Sequence, residues 1–160
     1  MDGEEAMKKL YVKIIALLVA LSAVFLLPGC NKKTDNEDND VVFDINDFEI
    51  AMKDKGYNFE VKDADKFLFP ATRKIIEINE EAINIYIFDS EEEMEKEAGY
   101  IDEGGASYNN GRKATHISWI SYPHFYKKGR IIVQYVGENT DIINDLEDIM
   151  GEQFAGYKLK

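Results

Sequence analysis

Hydrophobic and polar positions divide the chain into three unequal stretches. Ile14 to Leu27 is an apolar run in which Ser22 is the one polar residue. Asn31 to Asp40 has no apolar residue and so cannot pack against anything. From position 41 onward, apolar residues recur at helix and strand spacing, as in a folded domain.

Within that domain, Asn46 reads as an N-cap for a helix over 47–55, with Phe48, Ala51 and Met52 on one face and Gly56 after it. A short strand is predicted over 57–62. The connection that follows, 63–72, carries Phe67, Leu68, Phe69 and Pro70 at the edge of the core. Two strands, 73–79 and 83–88, are joined by a tight turn at Glu80 and Glu81; Ile83, Ile85 and Ile87 alternate with Asn84, Tyr86 and Phe88. Ser90 and Glu93 form a capping box for a helix whose inner face is Met94, Ala98 and Ile101. The glycines and asparagines of 102–113 mark a loop. A hairpin is expected between 115–121 and 130–136, with Lys127, Lys128 and Gly129 near its turn. Ile131, Ile132 and Val133 are apolar on both faces, as in a central strand. Thr140 caps a last helix with Ile142, Ile143, Leu146, Ile149 and Met150, ended by Gly151. The predicted class is α+β: a mostly antiparallel sheet of about five strands with helices on one face, in the order α-β-β-β-α-β-β-α.

The apolar run changes meaning with its flanks. Lys8, Lys9 and Lys13 precede it, its length suits a secretory leader, and Leu27-Pro28-Gly29-Cys30 closes it. A spanning helix needs about 20 apolar residues. The closing tetrapeptide resembles the lipobox of bacterial lipoproteins, with Pro28 where that family usually has Ala, Ser or Thr. The resemblance implies cleavage between Gly29 and Cys30 and a diacylglyceryl group on the Cys30 thiol. Residues 1–29 are then a signal peptide, 30–40 a lipidated cysteine with a polar tether, and 41–160 a single domain. Two acyl chains suffice for stable anchoring without a spanning helix. Asp2, Glu4 and Glu5 oppose the basic flank, which places the expected translation start at Met7.

Composition narrows the function. From residue 30 on, the chain keeps 28 acidic and 16 basic residues, a net charge of −12. Such a chain lacks the clustered bases that nucleic acid or anionic headgroups require. Cys30 is the single cysteine, so the domain has no disulfide, no thiolate metal site and no cysteine nucleophile. The acids of 35–40 lack the glycine and the glutamate that a calcium loop needs, so no metal or cofactor is expected. The 120 residues from 41 on can bury roughly two-thirds of their unfolded surface without staples.

Candidate chemistry is sparse. The two histidines stand in no H-x-H, H-E-x-x-H or comparable pattern, and His116 falls mid-strand. The candidate partner surface is the segment Tyr122 to Tyr126, with Tyr122, His124 and Tyr126 as its recognition residues. Packing of Phe125 and one tyrosine inward, with Pro123 shaping a strand end, is the plainer alternative. The stretch from His124 to Gly156 also resembles small lipoproteins of low-GC Gram-positive bacteria, which implies the same address and no mechanism. The expected function is a membrane-anchored extracytoplasmic binding or accessory module without catalysis, tethered through Cys30 and meeting an envelope protein or ligand. The alternatives are an envelope enzyme using His124 with a carboxylate as general base, and a structural subunit of a membrane complex.

Overall fold

A computed structural model describes residues 42–158. The expected leader, the expected cleavage site at Gly29–Cys30, the expected lipidation of Cys30 and the expected tether of 31–40 lie outside the described residues. Three helices, α1 (Ile45–Asp54), α2 (Glu91–Ala98) and α3 (Thr140–Met150), surround a six-stranded antiparallel sheet. In chain order its strands are β1 (Val61–Ala64), β2 (Thr72–Ile78), β3 (Glu81–Ile87), β6 (Pro123–Lys128), β7 (Ile131–Val136) and β8 (Ala155–Gly156). They lie in the order β1-β2-β3-β7-β6-β8, while β4 (Ser107–Asn109) and β5 (Ala114–His116) form a separate pair. The α+β class and the mostly antiparallel sheet are as expected. The sixth strand, β8, comes from the tail.

Local chemistry explains the boundaries. Asp44, not Asn46, caps α1: its carboxylate accepts from Asn46 N at 2.7 Å, while Asp47 accepts from Asp44 N at 2.9 Å. The β2–β3 turn falls on Asn79 and Glu80, both at positive φ (48° and 71°), the backbone of a tight hairpin matched to strand twist. Strand β1 starts at Val61, later than expected, because Tyr57 and Phe59 turn onto the core and Tyr57 Oη donates to Asp145 of α3 at 2.8 Å.

The hairpin that includes β7 pairs it with β6, not with 115–121. Pro123 stands at the first position of β6, where its missing N–H breaks little of the ladder. Gly129, at φ 54°, supplies the turn, and a Cβ there would fall 2.1 Å from the Phe43 carbonyl oxygen. The expected loop over 102–113 contains β4, anchored by the buried Tyr108 and by Asp102 Oδ1, which accepts from Ser107 N at 2.6 Å.

Because side chains alternate along a strand, the sheet carries two cores. On one face Ile76, Ile83, Ile85, Ile131, Val133 and Tyr135 pack against α1 and α3. On the other, Tyr86, Phe125 and Ile132 pack against Met94 and Ala98 of α2, Phe69 and Tyr108. The helices therefore cover both faces, since Tyr86 and Phe88 are as buried as the isoleucines they alternate with.

Candidate functional site

The three residues of the expected partner surface part company in the structure. Tyr122, 43% exposed, stands at the surface, but His124 is 1% exposed and Tyr126 is buried. Tyr122 lies before the start of β6, whereas within the strand His124 and Tyr126 share the face covered by α3, and Tyr126 Oη donates to the Ile143 carbonyl at 3.4 Å. Burial pushes the Tyr126 hydroxyl well above its ordinary pKa. The segment is therefore part of the core with a single outward tyrosine.

His124 has no carboxylate beside it. Nδ1 lies 2.8 Å from Gln153 Oε1 and Nε2 lies 3.2 Å from the Gly137 carbonyl oxygen. Gln153 is oriented by its own Nε2, which donates to the Tyr157 carbonyl at 3.0 Å. Both ring nitrogens thus face acceptors. The ring stacks on Tyr135 with centroids 5.9 Å apart. These contacts tie β6 to the tail; they do not make a general base. His116 lies exposed on β5, with Nδ1 3.3 Å from Ser107 Oγ.

What the structure does bring together is the segment 117–122, which runs across the second sheet face between β5 and β6. Ile120 in this segment is fully exposed, and recesses open on both sides of it. The wider, about 610 Å³, lies between Trp119 and the stacked rings of Tyr122 and Tyr157, whose centroids are 4.0 Å apart at 20°. Trp119 is held by its indole N–H, which donates to the Gly105 carbonyl at 2.8 Å. Glu103 and Lys158 place one charge of each sign in the lining.

The smaller recess, about 280 Å³, lies over the pair Asn84 and Gln134, which face each other across β3 and β7. Its walls are Phe67 and Trp119, edge to face at 6.4 Å, and Arg73, whose guanidinium sits 5.6 Å from the Phe67 centroid. Arg73 donates from Nε (3.0 Å) and Nη2 (2.7 Å) to Asn84 Oδ1, and from Nη1 to the Asp65 carbonyl at 3.1 Å. Among the described residues, Gln134 Nε2 is the buried side-chain nitrogen or oxygen left without a hydrogen-bond partner. An orphaned donor of this kind costs about 1–3 kcal/mol.

The Gln134 amide is fixed in its orientation. Its Oε1 accepts from Tyr86 Oη at 3.0 Å, and Tyr86 in turn takes a hydrogen bond from the Leu68 backbone. Turning the amide round would strand the tyrosine proton. Burial pushes the Tyr86 hydroxyl up to about 12, so the phenol stays a donor.

Gln134 was legible as an oddity: it is the one amide in Ile-Ile-Val-Gln-Tyr-Val, a strand apolar on both faces. Arg73, Asn84, Trp119 and Tyr157 carried no such signal, since they meet only through tertiary folding. No protein family, curated protein or solved structure matches the chain.

Proposed function

We propose that this chain is a lipid-anchored, extracytoplasmic binding module without catalysis, tethered through Cys30 and engaging an envelope partner or ligand at the 117–122 segment. The lipobox-like ending Leu27-Pro28-Gly29-Cys30 supports the anchor. The observation that carries the binding role is the wide recess between Trp119 and the Tyr122–Tyr157 stack, with the fully exposed Ile120 next in sequence to its lining residues Trp119 and Ser121. Aromatic rims offer large contact area with little side-chain entropy to lose, which suits recognition. The general-base alternative draws no support from His124, whose partners are an amide oxygen and a backbone carbonyl.

Two measurements test the two halves. The N-terminal peptide of membrane-fraction protein is expected to begin at Cys30 with diacylglycerol attached; an unmodified peptide running from Met1 or Met7 would refute the anchor. A photo-crosslinking residue at Ile120 is expected to give an adduct on intact cells, while the same group at the exposed Ile50 gives none. Equal labelling at both positions would remove the binding assignment.

A further inference from the structure

We infer that the smaller recess, floored by Asn84 and Gln134, binds a small monocarboxylate with a branched or aromatic apolar body. The inference is independent of the tether and of the wider recess, because its polar determinants are Arg73, Asn84 and Gln134 on β2, β3 and β7.

Apart from the Ser118 hydroxyl, which both donates and accepts, the side-chain hydrogen-bonding capacity left over in this recess is donor in character. Gln134 Nε2 has no partner. Arg73 uses three N–H groups on Asn84 Oδ1 and the Asp65 carbonyl, and a guanidinium carries five. The acceptor of Asn84 is already taken twice. A ligand that fits must therefore bring acceptors.

Charge selects among acceptor ligands. The lining holds one cation, Arg73, and no Asp or Glu, in a chain of net charge −12. A carboxylate placed here meets a guanidinium with no competing acid in the wall, and a charge-assisted bond is roughly twice as strong as a neutral one. A cationic ligand finds nothing to pair with. A sugar, with its hydroxyl donors, finds few free acceptors.

Size and surface set the rest of the ligand. About 280 Å³ lies at the small end of ligand clefts, which run from about 300 Å³ upward. Phe67, Trp119, Ile117, Ile120 and Val136 supply apolar wall. The ligand is then a short acid with one apolar group.

The experiment uses the full chain labelled with nitrogen-15. The probes are 4-methylpentanoate and phenylacetate, with 4-methylpentanamide and phenylacetamide as neutral counterparts. The Gln134 side-chain amide and the indole N–H of Trp119, the chain's single tryptophan, report on the recess directly. Expected is a saturable shift of both signals with at least one acid. Binding should be at least about tenfold weaker for its amide, and likewise weaker for that acid in the folded Arg73→Gln variant. Gln134→Leu should weaken the acid similarly; if that variant does not fold, Arg73→Gln decides alone. No saturable shift with either acid, equal response to acid and amide, or undiminished binding in Arg73→Gln would each overturn the proposal.

Discussion

The two faces of the main sheet are built from the same strands and closed in different ways. The first is mostly aliphatic: Ile76, Ile83, Ile85, Ile131 and Val133 meet Met52, Ile142, Leu146 and Met150, with Phe48, Tyr126 and Tyr135 among them, and two helices lie across them. The second is aromatic and mixed. Phe69 packs edge to face on Tyr86, Phe88 and Tyr108, and one short helix covers only part of it. The remainder is roofed by chain without regular structure, and there Arg73, Asn84 and Gln134 are tolerated. Helices close a face because their backbone polar groups are satisfied internally, whereas a loop leaves recesses and polar groups beneath it. The first face holds the fold, and the second carries the candidate site.

The sharpest way to break this contrast is to make a cavity in the first face. Leu146→Ala is expected to lose about 2–5 kcal/mol in urea unfolding, since Leu146 is fully buried between α3 and the sheet. A loss below about 1 kcal/mol would mean that α3 does not close the first face.

Next in size is Asp44→Ala, at about 1–2 kcal/mol. It removes the α1 cap together with the ion pair to Arg130, 2.8 Å away, that fastens the helix start to the β6–β7 turn. The Arg130 hydrogen bond holds the Asp44 carboxyl below the usual range. At Asp145, burial pushes the carboxyl up, but hydrogen bonds from Lys55 and Tyr57 outweigh this and leave it low. Carboxyls depressed by folding contribute stability above their unfolded pKa, near 3.8, and lose it as pH falls through the folded value. Wild-type stability is thus expected to drop below about pH 4, and less steeply in Asp44→Ala, as read by urea midpoints across pH.

Tyrosines show the reverse behaviour and involve both faces. Burial raises Tyr86 on the second face and Tyr135 on the first to about 12 each. A group whose folded pKa is raised contributes stability that is full below its unfolded value of 10 and is lost on rising through 12. The phenolate absorbance of Tyr86 and Tyr135 should therefore stay low until the chain unfolds, and their ionisation near 10 in the folded chain would contradict the packing of both cores. Smallest of all is Ile120→Ser. It is expected to change stability by less than about 0.5 kcal/mol, because the side chain is fully exposed.

Much of this contrast was legible along the chain, though unevenly. Period-3.6 patterning found all three helices, and period-2 patterning found the β2–β3 hairpin, because each depends on neighbours close in sequence. The isoleucines of β3 announced one core, while Tyr86 and Phe88, read as the alternate face, gave no hint of a second. His124 was read as surface because it sits among tyrosines and lysines; its burial depends on Gln153 and Gly137, both distant in the chain. The β6–β7 pairing was missed because the partner strand was placed at 115–121; Pro123, read as shaping a strand end, stands at the first position of β6. The recess over Gln134 joins residues from Phe67 to Val136, and no local pattern specifies that meeting.

The tail has one more effect, through β8. Its two residues pair with His124 and Phe125 along the outer margin of β6, with Gly156 at φ 105°, where a Cβ would lie 2.1 Å from the Pro123 carbonyl oxygen. A longer strand there would itself offer a full row of unpaired amides and carbonyls to a neighbouring molecule. At the opposite margin β1 is four residues long, with Lys62 and Asp63 at its centre. Short, charged or proline-started margins are poor templates for strand addition. Copies of this protein crowded together should therefore collide without zipping into a shared sheet.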